Sequence, residues 1–95
     1  MAIPKNIEEF IPKAFKYIDE NGVPAQNRST KYELVMEEGK KYPLKYVIAV
    51  SRMFATGEEI RTDDFNAFEA KNYFETRGYK FEKVYHFGQI KVLNN

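Results

Sequence analysis

The stretch Tyr32-Glu33-Leu34-Val35-Met36-Glu37-Glu38-Gly39-Lys40-Lys41-Tyr42-Pro43-Leu44-Lys45-Tyr46-Val47-Ile48-Ala49-Val50 decides the fold. Tyr32–Met36 reads as a strand, Glu37-Glu38-Gly39 as a turn, and Lys40–Tyr42 as a short return. Pro43 sits where a first-turn helical proline belongs, because its fixed φ and missing N–H cost nothing there. Leu44–Ala55 then has the pattern of a buried helix. Leu44, Val47, Ile48 and Phe54 share one face, Lys45, Ala49 and Arg52 share another, and Thr56-Gly57 ends it.

Upstream, Ile7, Phe10, Ile11, Ala14, Phe15 and Ile18 recur at helical spacing, which predicts a helix over Ile7–Glu20 with its secure part at Pro12–Glu20. Asn6 with Glu9 has capping-box spacing, and Asn21-Gly22 supplies the stop. Pro12 requires that the helix begin near Ile11 or that the proline lie in the first, unbonded turn. The polar residues 23–30 read as a loop. Downstream, a third helix is expected over Asn66–Arg77, with Asn66 and Glu69 as a capping box and Gly78 as a left-handed terminator. Residues 79–84 alternate as a strand, with Tyr79, Phe81 and Lys83 on one face. Residues 89–93 read as another strand, after a turn at His86-Phe87-Gly88. The expectation is an α+β fold, three helices packed on a small, largely antiparallel sheet, in one domain spanning 1–95.

Composition narrows the function classes. The 95 residues are 43% hydrophobic and 31% charged, a globular balance, and eight Phe with seven Tyr supply bulky core-formers to a short chain. With no Cys and one His, a disulfide framework, a zinc finger, a thiol nucleophile and a His-rich metal cluster are excluded. No apolar run approaches the length that spans a bilayer and no signal peptide opens the chain, so a cytoplasmic protein with no membrane partner is expected. His86 has no nucleophile to serve. Asp63-Asp64 suit the positive end of the helix that follows them, and Glu58-Glu59 read as a solvated loop. No P-loop, dinucleotide fingerprint, metalloprotease or calcium-loop spacing occurs. No enzymatic activity and no cofactor are expected.

The net charge of +1 conceals a basic block, for no carboxylate falls within residues 40–55. Lys40, Lys41 and Lys45 surround the expected start of the second helix, where the dipole favours acids. Lysines beside free helical amides form a reasonable phosphate-docking site, and Arg28, Ser29, Thr30 and Lys31 add donors if the loop folds nearby. Solvated, flexible lysines are the competing reading. Tyr32, Tyr42 and Tyr46 are interleaved with these cations. They suit either base stacking or an ordinary rim of packed rings with wet hydroxyls.

Ile18-Asp19-Glu20-Asn21-Gly22-Val23-Pro24, Arg28-Ser29-Thr30-Lys31-Tyr32-Glu33-Leu34-Val35 and Lys41-Tyr42-Pro43-Leu44-Lys45-Tyr46-Val47-Ile48 occur in that order. They are followed by Ala55-Thr56-Gly57-Glu58-Glu59, Asp64-Phe65, Asn72-Tyr73-Phe74 and Gly78-Tyr79. Together these segments resemble the N-terminal head domain of McrA-like, modification-dependent HNH restriction endonucleases, over roughly Ile7 to Phe81. Asn66-Ala67-Phe68 stands where that family carries a Gly-rich turn, and the HNH catalytic residues have no counterpart. The resemblance implies a head module of a restriction or phage-defence system, separate from the nuclease.

The functional expectation is a non-catalytic nucleic-acid-binding module. It would hold the DNA backbone through Arg28, Ser29, Lys31, Lys40, Lys41, Tyr42, Lys45 and Arg52. The alternative is a protein-interaction module, an adaptor or inhibitor engaging a nuclease or other defence protein. Near-neutral net charge and abundant aromatics favour that alternative.

Overall fold

The computed structural model describes residues 5–27, 32–36, 38–62 and 65–83. A 3₁₀ segment, Lys5–Phe10, leads into α1 (Ile11–Asn21). Strands β1 (Tyr32–Val35) and β2 (Lys41–Pro43) follow, and β2 runs directly into α2 (Leu44–Thr56). Helix α3 (Ala67–Glu75) and strand β3 (Lys80–Lys83) complete the described chain. The strands form an antiparallel sheet in the order β2-β1-β3, so the expected α+β class is the observed one. The expected strand at residues 89–93, the turn at His86-Phe87-Gly88, and Asp63-Asp64 lie outside the described residues.

Pro12 decides where α1 begins. It lies in the first turn, where its missing N–H breaks no helical bond, and the preceding residues tighten into the 3₁₀ segment. The expected Asn6–Glu9 capping box does not form. Asn6 has φ −100° and ψ 19°, outside the helical region, and Phe10 stands at the helix cap without a side-chain hydrogen bond. The α3 start behaves as its sequence implies: Asn66 Oδ1 accepts from the Glu69 N–H at 2.8 Å, and Glu69 Oε1 accepts from the Asn66 N–H at 2.9 Å. At the end of α2, Gly57 adopts φ +79° and its N–H donates to the Met53 carbonyl, the left-handed stop that a glycine supplies most cheaply.

Helix α2 is the centre of the molecule. It contacts α1, the 3₁₀ segment, α3 and the sheet, and every residue from Tyr46 to Arg52 is buried. The buried-helix pattern extends to Ala49 and Arg52 of the second face, because elements cover α2 on both sides. Ala49 lies in the core with Val47, Ile48 and Val50, and the buried Ser51 hydroxyl donates to the Val47 carbonyl. Ile7, Ile11, Ala14 and Ile18 face α2 from one side, and Ala70, Tyr73 and Phe74 complete the core from α3.

Strand register places Leu34 directly between Tyr42 and Phe81 on the inner face of the sheet. Leu34 and Tyr42 are buried, and Phe15 of α1 packs on Tyr42 with ring centroids 4.6 Å apart. By the two-residue period of a strand, Glu33, Lys41, Lys80 and Glu82 occupy the outer face.

Candidate functional site

The start of α2 is built by the β2–α2 junction. Pro43 ends the strand in extended geometry (φ −64°, ψ 127°) and caps the helix without offering a side-chain acceptor. No acidic residue stands in the first helical turn. The leading amides consequently have neither a side-chain cap nor a carboxylate, and Lys45 is the cation beside them. Lys45 is half-buried and forms no ion pair among the described residues.

Its expected companions are placed differently. Lys40 lies beside β2 and its Nζ is 3.3 Å from Asp19 Oδ2 at the end of α1. Lys41, on the outer sheet face, pairs with Glu82 Oε1 of β3 at 2.5 Å. Glu82, helped by Glu33, holds the Lys41 ammonium above the ordinary lysine range. Tyr42 points inward and is only 4% exposed, with its hydroxyl donating to Asp19 Oδ1 at 2.8 Å. Burial first, then the Asp19 bond, push the Tyr42 phenol up to about 12. The same bond, with Lys40 beside it, lowers the Asp19 carboxyl against a smaller opposing effect of burial. Asp19 thus ties α1 to β2 and neutralises a lysine of the expected site.

Arg52 is the clearest departure from the expected cluster. It lies towards the other end of α2, 4% exposed, and Nη2 donates to the Arg61 carbonyl at 2.8 Å. Its Nε lies 3.5 Å from Glu58 Oε1, and its guanidinium stands 5.9 Å from the Phe65 ring centroid. A buried guanidinium that fastens the loop after α2 does not reach a ligand beside Lys45. Glu58, read from sequence as simply solvated, is an exposed partner of this arginine.

Arg28, Ser29 and Lys31 lie outside the described residues. Of the tyrosines considered for stacking, Tyr42 and Tyr46 are buried in the core, and Tyr32 remains half-buried on β1. Burial raises the Tyr46 phenol as well. The structure therefore holds Lys40 and Lys41 on carboxylates at the start of β2, leaves Lys45 in the first turn of α2 without an ion pair among the described residues, and takes Tyr42 and Arg52 into the interior. Asp19 and Glu82 belong to the site and were missed. The β1–β2–β3 register, which sets β3 on the far side of β1 from β2, is the signal that would have found Glu82.

Among the described residues, no group of three or more His, Asp or Glu side chains is placed to hold a metal ion, and no helix is long and apolar enough to cross a membrane. No family model, curated protein or solved structure matches the chain.

Proposed function

We propose that this chain is a non-catalytic nucleic-acid-binding module that docks a DNA phosphate at the start of α2. The observation that carries the reading is Lys45, a cation with no ion pair among the described residues, beside helical amides without a side-chain cap in a turn without acids. Lys40 and Lys41 precede it in the chain at the start of β2, each held by an exposed carboxylate. Exposed pairs are weak, so a phosphate can displace Asp19 or Glu82 and recruit these lysines. The resemblance of the sequence to McrA-like head domains supports assigning such a module to a cytoplasmic restriction or phage-defence system.

Titration of a labelled duplex at two salt concentrations tests the reading. Each phosphate neutralised adds about −0.9 to the slope of log affinity against log salt. The expected slope is about −1 with Lys45 alone and nearer −3 if all the junction lysines take part. Lys45→Glu should weaken binding equally for every duplex sequence, because phosphate contacts carry no base information. Absence of binding at low salt would remove the DNA reading. The second reading, a protein-interaction module engaging a nuclease or other defence protein, is favoured by the internal pairing of Lys40 and Lys41, which leaves little net field at the junction.

A further inference from the structure

Phe68 stands on α3 with 64% of its surface exposed, the one large hydrophobic side chain among the described residues left in that state. An exposed phenylalanine alone is ordinary. Its setting is not. Lys71 lies one turn further along the same side of α3, and its ammonium stands 5.1 Å from the Phe81 ring centroid and 5.6 Å from that of Tyr32. Tyr32 and Phe81 meet edge to face across the β1–β3 pair, with centroids 6.0 Å apart. Lys83 is the register partner of Tyr32, on the same sheet face, exposed and without an ion pair among the described residues. Glu75, 3.7 Å from Lys71, is the carboxylate paired within the group.

We infer that this rim of α3 and the β1–β3 pair is a docking surface for single-stranded nucleic acid. Phe68 offers a stacking platform for an unpaired base, and Lys71 and Lys83 attract the adjoining phosphates. Aromatics interleaved with lysines suit a chain that presents both a π-face and a regular negative charge. The core of a protein–protein interface is instead depleted in lysine. A duplex keeps its bases stacked inside, so the exposed ring selects for the single-stranded form. The inference shares the nucleic-acid reading above but uses none of its residues.

Fluorescence anisotropy of a labelled oligothymidylate and of a labelled duplex, with wild type, Phe68→Ala, Phe68→Trp, Lys83→Glu and Lys45→Glu, separates the two surfaces. Phe68 is exposed, so its replacement leaves the core intact. Phe68→Ala should weaken oligothymidylate binding about fivefold or more, the loss of one stacked base. Phe68→Trp should retain the affinity, and Lys83→Glu should lower it and flatten its salt dependence. Duplex binding should respond to Lys45→Glu and not to Phe68→Ala. Oligothymidylate affinity that is absent, or unchanged in Phe68→Ala, overturns the inference. Loss of duplex binding alone overturns only the reading centred on Lys45.

Discussion

The two ends of α2 carry cations drawn from one acid-free stretch of sequence, and they meet opposite fates. At the first turn, Lys45 stays at the surface, next to amides that no side chain caps. Two turns later, Arg52 is drawn inside, where a backbone carbonyl, a carboxylate and an aromatic ring meet its guanidinium. The difference follows from side-chain chemistry. A planar, weakly hydrated guanidinium with several directed donors can satisfy itself in an interior, whereas a compact ammonium holds its water more strongly. The lack of acids between residues 40 and 55 says nothing of acids that the fold delivers from elsewhere: Asp19 from α1, Glu82 from β3 and Glu58 from the following loop.

The harshest way to disturb the comparison is to remove the packing that both ends share. Ile48 is fully buried midway along α2, and Ile48→Ala should cost about 2–5 kcal/mol, much of the stability of a small domain. Chemical denaturation checks this. A midpoint close to wild type would mean that α2 is not the central element.

Arg52→Ala comes next, at about 2–3 kcal/mol, because the Arg61 carbonyl loses its charged donor and the buried stem leaves a gap. Arg52→Lys should recover only part of the loss, since an ammonium cannot reproduce the fork. Full recovery by lysine would show that charge alone matters there and would erase the contrast with Lys45.

These expectations mark how far the sequence could be read. The helices were legible because each has local causes: the Asn66–Glu69 box, the glycine at 57, and an apolar period in residues 7–18. Pro12 was recognised as an obstacle, but whether Asn6 or Ile11 opened the helix turned on how the 3₁₀ segment packs against α2. The buried character of α2 was legible, but not which residues of its second face go inside, because that depends on the elements that cover both sides. Ala49 and Ser51 are compatible with either environment until the covering elements are placed. Arg52 is expected among the phosphate contacts, and its burial instead depends on Arg61 and Phe65, nine and thirteen positions along. The site was legible only where it is local, at Lys45. Its counter-ions Asp19 and Glu82 enter through tertiary placement and strand order.

Tyr42→Phe tests the Asp19 lock at the first end of α2, with an expected cost of about 1–2 kcal/mol at neutral pH. The phenol titrates higher in the folded chain than its ordinary value of 10, so its contribution is complete below pH 10 and is lost as pH rises through about 12. Wild type should therefore lose stability over that interval, and Tyr42→Phe should lose less. Burial also raises Tyr46, Tyr73 and Tyr79, which leaves some alkaline loss in the variant. Asp19 has the opposite sign: its lowered carboxyl contributes above the ordinary carboxylate range, and that contribution disappears as pH falls through its folded value. Without the Tyr42 hydroxyl, the Asp19 titration should move up towards 3.8, which carboxylate NMR detects. An unmoved Asp19 would mean that Lys40 alone sets it.

The smallest effect is the most discriminating. Lys45→Glu replaces a cation that opposes the α2 dipole with an anion that suits it, so stability should hold or rise by a few tenths of a kcal/mol. Arg52→Glu at the other end should unfold the chain, because it buries a carboxylate near Glu58 and beside the Arg61 carbonyl. One charge reversal is then neutral to the fold and the other ruinous, although both start from a basic residue of the same helix. Thermal melts at low and high salt check the sign at Lys45. A gain that fades with salt identifies the dipole as its cause, since screening weakens exposed charges. A clear loss would place Lys45 in a structural contact like that of Arg52, and the start of α2 could no longer be a site held open for an anion.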